Sequence, residues 1–491
     1  MKIRISDLWR RDGTIDGAPY AILGLALFLI KSQVDRFVAY RVYHQAWSLW
    51  NYVVPIDVTV IPGIRPEQRP FYFALLLIAL PFIYTGVVLT LRRLRSARLP
   101  LWLVFVFFVP VVNLFFFVLL SIAPSLDEAP AAAKIPDTPG PTPTPAPAAP
   151  AATAWRRVPP DDFGLAMMIP RSTFGSAVAG IVATLSLSVL GALISTEIFH
   201  DYGVGLFLGL PFCLGLTTVL IYGYHERRGK LECFGVAMLA LLLSACTLLL
   251  FAIEGAGCLN MAAPLAIPLA WLGSSVGYYL HLSRHPEIRP GRALLSVILM
   301  LPAFMGAEHF KAPEPPLLSV TSTVDVDAPP DAVWKHVITF PPLPEPTEFV
   351  FRMGVAYPLR AEIDGRGPGA IRRCVFSTGA FVEPINVWDE PRLLKFSVTD
   401  NPPAMQEWTF YSAIHPPHLR GFLVSSGGQF RLTPLPGNRT RLEGTTWYRH
   451  SMWPVGYWRI WSDYIIHRIH LQVLTHVKRL TETDPVGRDL P

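Results

Sequence analysis

Side chains that could transfer a proton are concentrated in the last third of the chain. Glu407 lies in Gln406–Ser412, a segment with strand-like composition, and His450 closely follows the last predicted strand. A carboxylate and an imidazole form a general acid–base pair when the fold brings them within hydrogen-bond reach. Only the fold could bring these two together, so the sequence favours the alternative of two unrelated surface or core residues.

The same region contains the side chains that could line a ligand cavity. A cavity for an apolar molecule needs apolar and aromatic walls and a few convergent polar groups. The candidates for these walls and polar groups are Arg373, Glu383, Glu407, Trp408, Trp447, Tyr448, His450, Trp458, Trp461 and Ile465. The alternative for the aromatic side chains is plain core packing between a helix and a sheet, and the sequence leaves both open.

Metal-binding patterns are weak. His467 and His470 are three residues apart on a predicted helix, but no third ligand is identifiable, so we expect two surface histidines. The cysteines form no Cys-x-x-Cys pair, which indicates neither a disulfide framework nor a zinc site. They are Cys213, Cys233, Cys246, Cys258 and Cys374. We therefore expect no metal and no cofactor.

One carboxylate stands at the end of an apolar run in the N-terminal part. Glu254 opens the sequence Glu254-Gly255-Ala256-Gly257-Cys258. A carboxylate at membrane depth marks a functional site by default. The glycines after it indicate a turn, which favours the alternative that Glu254 lies at the water interface.

The elements that must position these side chains divide into a membrane part and a water-soluble part. Hydrophobic residues make up 51% of the 491 residues and charged residues only 16%, with charge scarce up to about Phe310. Soluble proteins carry about a quarter charged residues. Eight apolar runs are candidate membrane helices, each close to or above the roughly 18 residues that a span needs. These runs are Pro19–Val38, Pro70–Thr90, Pro100–Ile122, Phe174–Ser195, Tyr202–Tyr224, Cys233–Ile253, Ala262–Leu280 and Ala293–Ala307.

A segment rich in proline and alanine divides the apolar runs into two groups. Its repeats, as in Pro139–Pro147, predict an extended spacer without a core of its own. The predicted order is a three-span unit, a linker, a five-span unit, a soluble domain and a tail. Their bounds are 1–123, 124–171, 172–310, 316–482 and 483–491.

The three-span unit carries an arginine motif near the end of its second run. Arg92-Arg93-Leu94 is followed by Pro100-Leu101-Trp102 and by a third run that contains Pro110. This pattern resembles the bacterial inner-membrane family called domain of unknown function 805. Arg95-Ser96 stands where that family has His-Asp, so no role of those polar residues carries over, and the function of the family is itself unknown.

Positive charges in the short loops predict which ends of the runs face the cytoplasm. In the five-span unit, Lys and Arg cluster at alternate turns, which places the soluble domain outside the cytoplasm. In the three-span unit, a cytoplasmic N-terminus and eight crossings would place it inside. A re-entrant Pro100–Ile122, broken at Pro110 beside Asn113, would reconcile the two halves. Labelling of a C-terminal cysteine tag by an impermeant reagent in intact cells would exclude a cytoplasmic domain.

The soluble part opens with alternating strand residues and closes with a long amphipathic helix. Val324-Asp325-Val326-Asp327-Ala328-Pro329 precedes a short helix that contains Val333-Trp334, and apolar residues three and four apart follow Pro454–Thr481. This order resembles the START/polyketide cyclase superfamily called SRPBCC over about Leu317–Glu482. The resemblance implies a helix-grip fold, in which a curved sheet wraps a long helix around a cavity for hydrophobic molecules. Only some members are enzymes.

The predicted fold is thus a multi-span α-helical membrane protein with a C-terminal α+β helix-grip domain. The function that fits best is membrane-anchored binding of a hydrophobic small molecule or lipid. A transporter or signalling protein regulated by the domain is the alternative, and a cyclase or hydratase is a further one. The net charge of +6 reflects membrane loops, so we expect the bilayer of the inner membrane as a partner and no nucleic acid. The oligomeric state stays open.

Overall fold

The structure of the chain is a computed structural model. The described residues are 9, 12–45, 47, 52, 69–109, 112–123, 125, 165–282, 290–310, 314–411, 414 and 416–483. Most of the predicted linker 124–171 and of the tail 483–491 lies outside them.

The secondary-structure elements of the membrane part are helices in its described residues. Its longer helices are α1 (Gly17–Tyr43), α2 (Arg69–Ser96), α3 (Val112–Ile122), α4 (Thr173–Leu193), α5 (Leu210–Tyr222), α6 (Lys230–Leu250), α7 (Ala256–Leu282) and α8 (Pro290–His309). A π-helical turn, Ile194–Ile198, extends α4, and another, Gly205–Gly209, precedes α5. Six helices of the described chain are long and apolar enough to cross a membrane, which supports a multi-pass membrane protein.

The first and third of the eight predicted runs are not among these six helices. The first run forms α1, which lies antiparallel to α2: Tyr20 contacts Thr90 at one end and Tyr43 contacts Pro70 at the other. Its second half carries Lys31 paired with Asp35. The third run is interrupted, because a 3₁₀ helix, Leu101–Phe108, ends before α3 begins at Val112.

The third run ends beside the end of α2, where it began. Arg93, near the end of α2, is fully buried, and its Nε donates to the carbonyl oxygen of Leu120 at 2.8 Å. Its Nη1 donates to Ser125 Oγ at 3.1 Å. Arg93 thus satisfies polar groups at the end of α3 that lack partners within the helix. The chain from Ala97 to Ala123 therefore leaves and returns to the same end of α2, as expected for a re-entrant segment.

The basic end of α2 also lies beside the basic ends of the five-span unit. Trp102, just after α2, stacks on Trp271 of α7 with ring centroids 5.8 Å apart and contacts Tyr279 at 6.1 Å. The Lys230 ammonium at the start of α6 lies 5.9 Å from the centre of the same Tyr279 ring. The arginine cluster of the first unit and the lysine of the second therefore share one side of the helix bundle.

The C-terminal part is a seven-stranded antiparallel sheet that curves around a long helix. Its strands are β1 (Leu318–Val326), β2 (Pro358–Asp364), β3 (Ile371–Phe376), β4 (Gly379–Asp389), β5 (Leu393–Ser397), β6 (Leu423–Leu435) and β7 (Arg439–His450). The order across the sheet is β1-β7-β6-β5-β4-β3-β2. Helix α9 (Pro330–Ile338) follows β1, and helix α10 (Val455–Thr483) follows β7.

The long helix packs its apolar face against the concave side of the sheet. Val473, Leu474 and Val477 of α10 are buried against sheet residues such as Leu394 and Leu442. Their spacing of one, three and four residues places them on one side of the helix. The helix-grip fold predicted from the sequence is confirmed by this strand order and packing.

The two parts share a hydrophobic core. Tyr202 and Phe207 of the membrane part are buried in one cluster with Val355, Met405 and Trp458 of the C-terminal part. Backbone hydrogen bonds reinforce the contact: Trp453 N donates to the oxygen of Tyr202 at 2.9 Å, and Ala256 N to that of Trp408 at 3.1 Å. The helix-grip domain is thus docked on the five-span unit, on the side opposite Lys230.

Candidate functional site

The helix-grip domain encloses a cavity of about 130 Å³ between its sheet and α10. Most of the lining is apolar, including Phe376, Phe396 and Val473. Two charged side chains are exceptions: Arg372 on β3 and Glu383 on β4 are both buried, and their guanidinium and carboxylate groups form an ion pair. An apolar cavity with a few polar groups is the usual form of a small-molecule site.

The Arg372 guanidinium is held by aromatic rings as well as by Glu383. It lies 5.4 Å from the centre of the Phe430 ring and 5.7 Å from those of Phe340 and Phe396. Burial lowers the pKa of Arg372, but the charge of Glu383 outweighs this and holds it above its usual range. Nη2 of Arg372 makes no hydrogen bond within the described residues. A buried donor without a partner is costly, so this atom is suited to an acceptor on a ligand.

The arginine that lines the cavity is Arg372, one residue before the Arg373 that the sequence suggested. Arg373, the predicted cavity residue, is exposed, whereas Arg372 lines the cavity with Cys374 and Phe376. Successive side chains on a strand point to opposite faces, so a shift of one residue exchanges the inside and the outside. Glu383, in contrast, lines the cavity. Burial raises its pKa, an effect that the charge of Arg372 opposes.

The histidine pair on α10 divides between the cavity and the surface. His470 lines the cavity and is hydrogen-bonded to Thr446 Oγ1 at 2.8 Å and to Ser322 Oγ at 3.1 Å. Burial and the neighbouring His467 lower the pKa of His470 to about 4. The expectation of two surface histidines is therefore wrong for His470, while His467 is exposed.

A second polar group lies where the helix-grip domain meets the membrane part. Glu407 is buried there, in a segment without strand pairing over Gln406 to Tyr411, contrary to the predicted strand. Its carboxylate accepts hydrogen bonds from Gly257 N at 2.9 Å and Cys258 N at 3.1 Å, at the start of α7. A carboxylate at a helix N-terminus satisfies free amides and interacts favourably with the helix dipole.

Two glycines make room for this carboxylate. A Cβ atom on Gly255 would overlap the Glu407 side chain, and one on Gly257 would overlap Met405. The glycines that indicated a turn in the sequence thus permit the close approach of the two parts. The prediction that Glu254 lies at the water interface is wrong, because this docking leaves it only 6% exposed.

Glu407, His418, Tyr202 and Glu254 form a connected buried group that we name the junction cluster, together with Cys258. His418 Nε2 is 3.3 Å from Glu407 Oε1, and His418 Nδ1 is 3.2 Å from the Tyr202 hydroxyl. Tyr202 donates to Glu254 Oε1 at 2.7 Å. The second carboxylate oxygen, Glu254 Oε2, lies 3.4 Å from His418 Nδ1 and accepts no hydrogen bond from a nitrogen or oxygen atom of the described residues, while the Cys258 thiol lies beside Glu254.

Burial and neighbouring charges shift the pKa values of Glu254 and His418 in opposite directions. Burial raises the pKa of Glu254 above its usual range, although His418 and Tyr202 oppose the rise. Burial lowers the pKa of His418, but the hydrogen bond to Glu407 and the two carboxylate charges raise it overall. Burial, with Glu254 beside it, also raises the pKa of Tyr202. The histidine is therefore the cluster's natural carrier of positive charge.

The junction cluster lies between two further cavities. On the membrane side, a cavity of about 340 Å³ is lined by Tyr202, Glu254 and Cys258 and otherwise by mostly apolar residues of α4 to α7. On the other side, a junction cavity of about 70 Å³ is lined by Cys258 and His418. Cys258 borders both cavities.

The junction cavity in turn adjoins the helix-grip cavity. The residues that line both are Val355, Ala404, Leu423 and Ile465. The three cavities therefore follow one another from the membrane helices into the helix-grip domain.

Comparison with known proteins finds similarity in the C-terminal part alone. No family model and no curated protein sequence matches the chain. Among solved structures, the ZhuI aromatase/cyclase from Streptomyces sp. R1128 is 18% identical, with a TM-score of 0.24, over 35% of this chain and 99% of its own. Norcoclaurine synthase from Thalictrum flavum is 13% identical, with a TM-score of 0.24, over 35% of this chain and 99% of its own.

Sequence identities of 18% and 13% with TM-scores of 0.24 do not identify a ligand or a reaction for this chain. The assignment of the helix-grip fold rests on strand order and packing, and the resemblance of the first unit to domain of unknown function 805 stays a prediction.

The remaining predicted site residues divide among several environments. His450, Trp458, Trp461 and Ile465 line the junction cavity, and Ile465 also lines the helix-grip cavity. Tyr448 is core, since it is fully buried and donates to Asp463 Oδ1 at 2.5 Å.

Two predicted tryptophans lie apart from these cavities. Trp408 is 62% exposed. Trp447 is half-buried with the Lys395 ammonium 5.3 Å from its ring centre. The imidazole beside Glu407 is that of His418, at 3.3 Å, whereas the sequence offered His450 as a partner and favoured two unrelated residues.

Three residues of these sites escaped the sequence analysis: Arg372, Tyr202 and His418. Tyr202 lies between two π-helical turns and His418 lies in a short 3₁₀ helix, Pro417–Leu419, and only the docking of the two parts brings them together. Arg372 could have been identified from register, since Cys374 and Phe376 alternate with it as inward residues of one strand.

Proposed function

We propose that the chain binds a hydrophobic small molecule or lipid in the helix-grip cavity and receives it from the bilayer. The observation that carries the proposal is the row of three cavities with shared lining residues. The helix-grip cavity, at about 130 Å³, is smaller than the 300–1,000 Å³ typical of ligand sites. A ligand with a chain would therefore extend into the adjoining junction cavity.

The lining supports a ligand with one polar end. Arg372 offers Nη2, a buried donor, in a mostly apolar cavity. A carboxylate, phosphate or carbonyl oxygen would be its complement. The apolar remainder of the ligand would lie toward Ile465 and the junction cavity.

The expected orientation places the helix-grip domain outside the cytoplasm. If 97–123 is re-entrant, α1, α2 and the five helices α4–α8 make seven crossings, and the basic ends of both units share one side. Lys and Arg accumulate on the cytoplasmic side, which is then the side of Lys230. With seven crossings, the positive charges of the three-span unit and of the five-span unit predict the same orientation.

The proposal is tested by thermal unfolding of the delipidated full-length protein with a panel of fatty acids, phospholipids and sterols. We expect at least one class to raise the melting temperature, since a ligand that binds only the folded state stabilises it. Arg372→Met should abolish the shift for the anionic members, while Arg373→Met on the outer face should keep it. A wild-type protein that none of these compounds stabilises contradicts the proposal.

A transport or signalling role controlled by the domain is the second candidate. Its motive is the docking of Glu407 on the first turn of α7, which couples the helix-grip domain directly to a membrane helix. Ligand occupancy could then alter the position of α7. Binding without any change in hydrogen exchange of α7 would contradict this role.

A further inference from the structure

Three side chains of types that bind metal ions converge in the junction cluster. One ligand atom from each of Glu254, Cys258 and His418 lies within 4.8 Å of the other two, and all three residues are buried. Glu254 and Cys258 come from the membrane part, and His418 comes from the segment before β6. The group therefore exists only when the helix-grip domain is docked.

When the His418 ring is neutral, the hydrogen bonds around it leave one ring nitrogen without a proton. Glu407 accepts from two backbone amides and is an acceptor for His418 Nε2, which favours the tautomer with hydrogen on Nε2. The Tyr202 hydrogen is used by Glu254 Oε1. In that tautomer, the lone pair of His418 Nδ1 faces the oxygen of Tyr202 and Glu254 Oε2. Facing acceptors in a buried site need a cation or a further proton between them.

The separation of these acceptors matches that of two ligands on one metal ion. Nitrogen and oxygen ligands lie about 2.0–2.1 Å from a tetrahedral zinc ion, which places them about 3.3–3.4 Å from each other. The distance from His418 Nδ1 to Glu254 Oε2 is 3.4 Å. The third ligand atom, Cys258 Sγ, lies within 4.8 Å of both.

We propose that Glu254, Cys258 and His418 bind a zinc-type divalent cation, with Glu407 as the positioning residue for His418. Thiolate and imidazole ligands favour zinc over magnesium or calcium, which prefer oxygen ligands. A carboxylate on the second imidazole nitrogen is the usual orienting partner of a metal-bound histidine.

Three protein ligands leave a fourth tetrahedral position open, as in catalytic zinc sites. The proposed ligands also line the cavities on either side of the cluster: Cys258 lines both, Glu254 the membrane cavity and His418 the junction cavity. The ion would therefore contact any molecule that moves between the membrane cavity and the helix-grip cavity. This site does not depend on the proposed ligand function, because its residues and its test involve no hydrophobic ligand.

The test uses the full-length protein purified in detergent, stripped with a chelator and reloaded with Zn²⁺ or Co²⁺. We expect about one tightly bound ion per chain. The Co²⁺ form should show tetrahedral ligand-field bands and a thiolate-to-cobalt charge-transfer band. Cys258→Ser should remove the charge-transfer band, whereas Cys233→Ser, which changes another buried cysteine, should leave it intact.

A spectrum without a thiolate band in wild type, or equal metal content in wild type and Cys258→Ser, overturns the proposal. The cluster would then be a protonated network around His418. Because a variant that misfolds also loses metal, wild type supplies a second measurement: Zn²⁺ should protect Cys258 from thiol reagents but not the exposed Cys246. Equal protection of both overturns the proposal too. Glu407→Gln should weaken binding about 10- to 100-fold and shift the Co²⁺ bands.

Discussion

Replacing Glu383 by Leu should lower the free energy of unfolding of the helix-grip domain by about 3–5 kcal/mol. Arg372 would then remain as a charged side chain in an apolar cavity, with its ion-pair partner removed. The loss should be visible in urea unfolding of the full-length protein, followed by near-ultraviolet circular dichroism. The aromatic rings around Arg372 report directly on this region.

The double variant separates charge from packing. Glu383→Leu combined with Arg372→Met removes both charges and should recover most of the lost stability, as replacement of whole buried ion pairs commonly does. It should not recover binding of an anionic ligand, because Nη2 of Arg372 is gone. Glu362→Gln is the matched control, since Glu362 is exposed and its pair with Arg360 is worth at most about 1 kcal/mol. If Glu383→Leu has the same free energy of unfolding as wild type, Arg372 is not a buried charge that depends on Glu383, and the account is contradicted.

Gly255→Ala should separate the helix-grip domain from the membrane part. The added Cβ would overlap the Glu407 side chain, which cannot retreat without losing its bonds to Gly257 N and Cys258 N. Hydrogen bonds to a charged group contribute about 1.5–3 kcal/mol each, so the docked state should lose several kcal/mol. We expect faster hydrogen exchange in the first turn of α7 and faster proteolysis around 405–411.

The matched control is Gly235→Ala in α6, where a Cβ atom would meet nothing within 4 Å. It should leave exchange in α7 unchanged. Gly255→Ala combined with Glu407→Gly would remove the overlap but not restore the hydrogen bonds. Its α7 exchange should therefore stay fast while the stability of the sheet is unaffected. Unchanged exchange in Gly255→Ala would contradict the close approach of Glu407 to the helix.

Local patterns in the sequence predicted most of the fold. Alternation in β1, the short helix around Trp334 and the apolar face of α10 all reflect residue-to-residue spacing, which is a local property. The interruption of the third apolar run was also predicted, because proline breaks helices. The number of membrane crossings could not be predicted from the runs, since length and apolarity do not distinguish a crossing from a run that returns to its starting side.

The sites were harder to predict than the fold, for two physical reasons. The first is register: Arg372 and Arg373 are adjacent and chemically identical, and only the pairing of β3 with β4 decides which faces the cavity. The second is docking. Glu254, Tyr202 and His418 are distant in sequence and meet only at a tertiary contact between two parts, so no spacing rule connects them.

Transfer of a hydrophobic ligand from the bilayer to the helix-grip cavity is tested most directly by photolabelling within a membrane. The full-length protein would be reconstituted in vesicles that contain a diazirine-bearing fatty acid, irradiated, and mapped by peptide mass spectrometry. We predict labels on α7 residues of the membrane cavity and on residues of the helix-grip cavity such as Ile469.

Ala404 lines both the junction cavity and the helix-grip cavity, so the large side chain of Ala404→Trp should block the space between them. Thr433→Trp is the control, because it places the same side chain on an exposed site of β6. Ala404→Trp should abolish labelling inside the helix-grip domain and keep that on α7, while Thr433→Trp should resemble wild type. Labels confined to the outer surfaces of the membrane helices in wild type, with none in the helix-grip cavity, would contradict the account.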